Sequence, residues 1–235
     1  MISFFHTILY EPLFNALILI YNFIPGHDFG IAIILLTLIV RFALFPLNDK
    51  ALKSQGKLAA LQPKIKEIKE KYKDDRARQS QEFIKLYAEH KVNPLGGCLP
   101  MLIQFPILIA LYWVFINGLN PEKLNGFYGF VANPGVIDMI FIGIVDLSKP
   151  SWILALLTGL AQFYQSKLMF KNKPKAQSSP NDIMNAMSSQ MTYLMPIFIV
   201  FISWRLPAGL PLYWLVTTLF SIAQQYLINR KNAVT

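Results

Sequence analysis

Long apolar runs separated by polar segments set the pattern of this chain. Five runs are 16 to 20 residues long, and they cover residues 29–47, 99–116, 151–170, 191–206 and 210–228. A helix rises about 1.5 Å per residue, so runs of this length cover most or all of a hydrocarbon core of roughly 30 Å. We therefore predict an all-α integral membrane protein with five transmembrane helices, forming a single domain over residues 1–235.

Two further helical elements are predicted outside these spans. Residues 3–24 contain an apolar stretch of only 12 residues, bounded by Glu11-Pro12 and Pro25-Gly26. This stretch is short for a span, which favours an N-terminal helix lying at the membrane interface. Residues 49–92 are polar, and their apolar positions follow helical steps of three and four on either side of Asp74-Asp75, which predicts an antiparallel helical hairpin.

The distribution of basic residues predicts the orientation of the chain. Twelve of the 22 lysines and arginines lie between residues 48 and 94. With the N-terminus outside and the C-terminus inside, 18 of the 22 fall on the cytoplasmic side, in the hairpin, at residues 167–175 and at the C-terminus. Only Lys123, Lys149 and Arg205 then lie outside, in agreement with the positive-inside rule. The hairpin is accordingly predicted to be cytoplasmic.

Composition supports a membrane protein and argues against other functional classes. Hydrophobic residues make up 54% of the chain, and the mean hydropathy is +0.41. The net charge of +9 arises mainly from the hairpin, so no direct nucleic-acid binding is predicted. The spans contain no Asp, Glu or His, which a proton-coupled transporter usually requires. Cys98 is the single cysteine, and the nucleotide, zinc-protease and serine-hydrolase motifs are missing, so we predict no enzyme activity, no metal site and no cofactor.

Arg41 lies in the second half of the predicted span 29–47, whereas Lys167 and Arg205 lie within the last four residues of their spans. On insertion scales a central arginine costs about 2.5–3.5 kcal/mol, so its presence requires a reason. One interpretation is that the side chain extends along the helix to the nearer membrane surface, six residues away at Leu47. The other is that Arg41 faces a water-filled cavity inside a helix bundle. This span alone leaves the two interpretations about equal.

Other polar residues in the spans lie on helical faces. Their spacing places Thr37 one turn from Arg41, Gln104 on the second span, and two clusters on the third and fifth spans. The candidate groove residues are Arg41, Thr37, Gln104, Gln162, Gln165, Trp214, Thr217, Ser221 and Gln224. Each of them alone is more typical of hydrogen bonding between helices. Their recurrence on several spans, together with Arg41, favours a hydrated groove.

Five segments of the chain carry recognisable motifs. They read RFALFPLN at 41–48, LQPKIKEIKEKYKDD at 61–75, NPLGGCLPMLIQFPILIALYWVF at 93–115, DLSKPSWILALL at 146–157 and PAGLPLYWLVTTLFSIAQQYLI at 207–228. Together they resemble the YidC/Oxa/Albino family of membrane protein insertases. The resemblance extends over nearly the whole chain from about residue 13, and the segment at 93–115 is specific.

The resemblance implies a five-helix core with a cytoplasmic hairpin after the first span. It also implies a positively charged groove, open to the cytoplasm and the lipid but closed to the outside, whose arginine matches Arg41. The expected form is the short bacterial one without a large external domain, located in the bacterial inner membrane. The expected partners are nascent membrane proteins, membrane lipids, the ribosome and the SecYEG translocase. Because only seven residues follow Ile228, the long basic tail with which some members bind the ribosome is not expected.

The function expected from these features is that of a membrane protein insertase and chaperone. Such a protein passes transmembrane segments and short external tails of its clients into the bilayer through the groove. Two alternatives remain open at this point. One is an assembly factor of a Sec-type translocase that does not itself insert proteins, and the other is a transporter of small anions that uses Arg41 as its binding site.

Overall fold

The computed structural model describes residues 5–93, 99–118, 128–170 and 190–232. Its helices are α1 (Glu11–Phe23), α2 (Phe29–Ala43), α3 (Phe45–Ala60), α4 (Gln62–Lys71), α5 (Arg76–Glu89), α6 (Leu99–Trp113), α7 (Trp152–Phe170), α8 (Met195–Ser203) and α9 (Gly209–Asn232). Short π-helical segments cover His6–Tyr10, Val114–Gly118 and Gln190–Leu194. The two strands are β1 (Ile140–Phe141) and β2 (Val145–Asp146). Cys98, Lys123 and the lysines at 171, 173 and 175 lie outside the described residues.

The first helix contributes one face to the main hydrophobic core. α1 begins with Pro12 in its first turn, where a missing N–H breaks no helical bond, and it ends before the Pro25-Gly26 step. Phe14, Leu17, Ile18 and Tyr21 follow helical spacing and are almost fully buried against α2 and its neighbours. The segment predicted at the membrane interface is therefore packed along one side into the bundle.

The predicted first span, residues 29–47, is divided by a bend. Asp28 caps the start of α2 by accepting a hydrogen bond from the Ile31 N–H, and α2 ends at Ala43. α3 begins at Phe45, followed by Pro46, a residue that fits the first turn of a new helix better than the interior of a continuing one. By length and hydropathy, no single helix of the described chain qualifies to cross a membrane, whereas α2 and α3 together qualify as a pair bent by 63°.

The polar segment after the bend continues from α3 into α4 and α5, and the last two pack side by side. Leu61, at the cap of α4, and Ile65 within it are buried against Leu86 of α5 and Val92, which follows α5. Gln79 donates to the Lys69 carbonyl, and Lys64 contacts His90 at 3.0 Å, so the two helices run antiparallel. Their apolar residues form a small core separate from the main one.

The remaining helices differ from the predicted spans mainly at their ends. α8 has nine residues, compared with the predicted 191–206, because a π-helical segment precedes it and Pro196 starts the regular helix. α9 continues to Asn232, four residues beyond the predicted end of the fifth span. α7 and α8 approach closely at Gly159, where a Cβ atom would overlap the Val200 side chain.

Residues 128–150, which we call the loop cap, cover the start of α2 with a short β-hairpin. β1 and β2 pair antiparallel through Phe141 and Val145. The Phe141 ring occupies the space that a Cβ of Gly30 would need, so glycine at this position allows the hairpin to lie against the first turn of α2. Asp28 Oδ2 accepts a hydrogen bond from the Ile142 N–H at 2.6 Å, and the same carboxylate therefore holds both α2 and the hairpin.

The loop cap also joins the first and last helices of the bundle. The buried Asn15 side chain of α1 accepts from the Tyr128 N–H at 2.8 Å. The backbone N–H groups of Ala208 and Gly209, at the start of α9, donate to the carbonyls of Lys149 and Leu147. Near this junction, hydrogen bonds from Lys149 and Ser148 lower the pKa of Asp146 to about 2. One end of the bundle is therefore held together by the loop cap.

We expect Asp28→Ala to loosen the loop cap as well as the start of α2. Loss of a helix cap alone costs about 1 kcal/mol, and the second hydrogen bond to the charged carboxylate adds about 1.5–3 kcal/mol. Unfolding in detergent and limited proteolysis of residues 128–150 measure the two effects. Asp75→Ala is the matched control, because Asp75 caps α5 through the Arg78 N–H and lies outside the loop cap. Equal protease resistance of the loop cap in both variants would contradict the prediction.

Candidate functional site

The Arg41 side chain lies inside the bundle, where it is partly buried and bound to a neutral partner. Its Nη2 donates to Gln104 Oε1 of α6 at 3.0 Å. Gln104 Nε2 in turn donates to the Tyr213 hydroxyl of α9 at 2.8 Å. Arg41, Gln104 and Tyr213 therefore form a chain of hydrogen bonds across α2, α6 and α9, which we call the Arg41 cluster. Among the described residues, no carboxylate forms an ion pair with Arg41.

The hydrogen-bond partners of Arg41 bear on the two sequence interpretations. Arg41 bonds to Gln104 of α6 and through it to Tyr213 of α9, so its guanidinium is held by neighbouring helices of the bundle. Further along α9, Gln224 donates to the Phe45 carbonyl at 3.2 Å, at the bend that follows α2. These contacts agree with the interpretation in which Arg41 faces the interior of the bundle, and the hydration of that interior stays a prediction.

Two predicted residues line the surroundings of the Arg41 cluster without joining its hydrogen bonds. Thr37 is buried, and its hydroxyl donates to the Ile33 carbonyl of its own helix at 2.6 Å. Thr37, Leu36 and Tyr213 line a narrow, largely apolar cavity between α1, α2, α6 and α9. Thr217 is buried one turn after Tyr213, and its hydroxyl lies near that of Tyr213 without a hydrogen bond of acceptable geometry.

The other polar residues of α9 mostly bond within their own helix. Ser221 donates to the Thr217 carbonyl at 2.9 Å, and Thr218 donates to the Trp214 carbonyl at the same distance. Trp214 itself is half-buried beside these residues. Gln224 is the exception, because its amide reaches the Phe45 carbonyl at the bend between α2 and α3. These contacts match the simpler interpretation, in which polar residues stabilise helices and helix packing.

The two predicted glutamines of α7 are not connected to the Arg41 cluster by any hydrogen bond in the described structure. Gln162 and Gln165 are both half-buried on α7. The polar contact between α7 and α9 comes instead from the fully buried Thr158. Its hydroxyl lies 2.7 Å from the Leu154 carbonyl of its own helix and 3.1 Å from the Pro211 carbonyl of α9. The described residues contain no group of three His, Cys, Asp or Glu suited to a metal ion.

Tyr213 is the member of the Arg41 cluster that sequence reasoning missed. It was not among the predicted groove residues, although it lies four residues before Thr217 and eight before Ser221, on the same helical face. A tyrosine in such a polar stripe carries a hydroxyl that needs a partner when it is buried. That spacing was the signal that could have identified it.

We expect Thr158→Val to weaken the packing of α7 against α9. The substitution keeps the side-chain shape and removes a buried hydroxyl that contacts both helices, at a cost of about 1 kcal/mol. Thr37→Val is the matched control, because Thr37 is equally buried and its hydroxyl contacts only its own helix. Thermal unfolding in detergent should show a larger loss for Thr158→Val. An equal or smaller loss would show that the contact with Pro211 contributes nothing.

Comparisons with known proteins give consistent matches. The family described as 60Kd inner membrane protein matches residues 19–234. The membrane protein insertase YidC of Actinobacillus succinogenes is 42% identical over 221 residues, covering 94% of this chain and 36% of that protein. The protein of the same name from Haemophilus influenzae strain PittEE is 40% identical over 223 residues, with the same coverage of both chains.

A solved structure also resembles this chain. It is described as an active YidC insertase crystal structure with the first transmembrane domain resolved. The TM-score is 0.62 at 30% sequence identity, and the match covers 92% of this chain and 46% of the solved one. This chain therefore spans about a third of the length of the curated relatives and about half of the solved chain.

Proposed function

This chain belongs to the 60Kd inner membrane protein family, which confirms the resemblance to the YidC/Oxa/Albino insertases, and we propose on this basis that it is itself a membrane protein insertase of the bacterial inner membrane. The observation that carries the mechanism is the partly buried Arg41 with an amide as its partner. A guanidinium inside a bundle of apolar helices is costly, so its retention without a carboxylate suggests a role toward an outside ligand.

The first step that we propose is capture of a polar client tail. A polar segment crosses a bilayer poorly because each unpaired polar group costs several kcal/mol in hydrocarbon. A hydrated groove around the Arg41 cluster would let the tail enter partway while its polar groups remain solvated. Acidic residues in the tail would be attracted to Arg41, and a client carboxylate would replace the Gln104 oxygen as its partner.

The second step is release of the client's apolar segment into lipid. The exposed faces of α6 and α8 carry large apolar side chains at helical spacing, among them Phe105, Ile109, Ile197 and Phe201. These faces would give the segment an apolar path to the bilayer, where burial of its surface is favourable at about 25 cal/mol per Å². The short α8 favours a thinned bilayer beside it, which would shorten the path.

The proposed partners are nascent membrane proteins and membrane lipids, with the ribosome and the SecYEG translocase as further candidates. The α4–α5 hairpin presents lysines and arginines around its small apolar core, which suits contact with anionic lipid head groups or with a ribosome. Reconstitution of this chain alone in liposomes distinguishes an insertase from an assembly factor. Flux of small anions in the same liposomes would favour a transporter instead.

We expect Arg41→Ala to impair insertion of clients with acidic external tails far more than clients with neutral tails. A neutral tail makes no use of the charge, whereas an acidic tail loses an attraction that inside the bundle is worth a few kcal/mol. Arg41→Lys should retain much of the activity toward acidic tails, because the attraction depends mainly on charge. The measurement is insertion of matched acidic and neutral single-span clients into liposomes that contain only this protein.

The Arg41 experiment includes a control that moves the cation. Arg41→Ala combined with Gln104→Arg places a guanidinium on α6, next to the position that Arg41 occupies. This double variant should partly restore the preference for acidic tails if the charge acts through its field. The proposed mechanism would be refuted by Arg41→Ala inserting both clients at the wild-type rate.

A further inference from the structure

The buried Tyr213 hydroxyl ends the chain of hydrogen bonds that begins at Arg41. Its side chain is 3% exposed and belongs to the main hydrophobic core, so the position of the ring is set by packing. The hydroxyl accepts from Gln104 Nε2 at 2.8 Å. Gln104 is less buried and sits on α6, where its flexible side chain could adopt other rotamers. Tyr213 is thus the rigid member of the Arg41 cluster.

The pattern of donors and acceptors makes Gln104 the link between the tightly packed Tyr213 and the long side chain of Arg41. Arg41 can only donate hydrogen bonds, so Gln104 must present its oxygen to Arg41 and its NH₂ group to Tyr213. Without the hydroxyl, the NH₂ group would lose its partner inside the bundle, which favours rotation of the amide. Arg41 would then lose its acceptor on α6, and its long side chain could extend toward the nearer helix end.

We propose that Tyr213 is a positioning residue, which through Gln104 holds the Arg41 guanidinium deep inside the bundle. The inference rests on the proposed function, in which Arg41 attracts acidic client tails. It adds that the depth of the charge, and hence the preference for acidic tails, depends on a hydroxyl that does not itself contact the client. A cation that moved to the helix end would lie in water, where its attraction is weak and screened by salt.

The test compares two variants that each remove one buried hydroxyl. Tyr213→Phe keeps the ring and removes the hydroxyl bound to Gln104. Tyr21→Phe is the matched control, because Tyr21 is 4% exposed, lies in the same core, and accepts a hydrogen bond from the Asp138 N–H at 2.9 Å, away from Arg41. Both variants are assayed in liposomes with acidic-tailed and neutral-tailed clients, and the ratio of the two insertion rates is measured.

Tyr213→Phe should lower the ratio of acidic to neutral insertion by about two- to tenfold, the factor that corresponds to one hydrogen bond. The remaining preference should fall further as salt is raised, whereas the wild-type preference should change little. Tyr21→Phe should leave both the ratio and its salt dependence as in the wild type. A general effect of hydroxyl loss on folding would lower insertion of both clients equally and leave the ratio unchanged.

A second variant removes the same hydrogen bond by changing Gln104 instead of Tyr213. Gln104→Met has nearly the shape of glutamine and forms no comparable hydrogen bonds, so it should lower the ratio as Tyr213→Phe does. The double variant Gln104→Met with Tyr213→Phe should be no worse than either single variant, because both remove one connection. Gln104→Met also replaces Tyr213→Phe as the deciding variant if the latter does not reach the membrane.

The outcomes separate the inference from the proposed function. A lowered ratio for Arg41→Ala with an unchanged ratio for Tyr213→Phe and Gln104→Met would overturn the positioning role and leave the insertase mechanism in place. An unchanged ratio for Arg41→Ala would refute the role of the charge itself. Additive losses in the double variant would show that Tyr213 and Gln104 act separately, which also overturns the inference.

Discussion

A guanidinium held by a neutral amide inside the bundle is the constraint on which the arrangement of α2, α6 and α9 depends. A guanidinium carries five N–H donors, and among the described residues the hydrogen bond to Gln104 satisfies one of those of Arg41. Donors without partners in a dry interior cost several kcal/mol. The energetically reasonable solution is that the remaining donors face water or a ligand, which is why a hydrated site around Arg41 is the arrangement that the chemistry favours.

Hydrogen bonds join the helices on both sides of this cation. At the start of α2, the loop cap joins α1, α2 and α9 through Asp28, Asn15 and the backbone of Lys149. Beyond the Arg41 cluster, Gln224 of α9 donates to the Phe45 carbonyl at the bend between α2 and α3. The described hydrogen bonds therefore connect α9 with α2 at both ends of α2, and the Arg41 cluster lies between these two connections.

Sequence reasoning identified the elements and the central charge, and it was less successful with contacts between helices. Arg41 was selected as a charge inside an apolar run and Gln104 as a polar residue of the second span, whereas periodicity selected the polar faces of the third and fifth spans. Periodicity does not reveal which side chain on a neighbouring helix lies opposite, so Gln162 was grouped with Arg41 although no hydrogen bond connects them. Tyr213 was missed because its ring dominates its hydropathy. Pro46 indicated the bend at Leu44, but the span was predicted from its hydropathy, and a proline near the end of an apolar run does not interrupt that pattern.

Because the partner of Arg41 is an amide and not a carboxylate, a client carboxylate could displace it at a lower energetic cost under the proposed function. Removing one partner from a buried ion pair costs about 3–5 kcal/mol, so a carboxylate in this chain would hold Arg41 against any client. Replacing a hydrogen bond between a charged and a neutral group involves about 1.5–3 kcal/mol, and under the proposed function a client carboxylate would recover it by forming a new one. Gln104 is a partner that holds the cation without neutralising it. In the proposed mechanism the exchange would therefore be reversible, and the same site could accept one acidic tail after another.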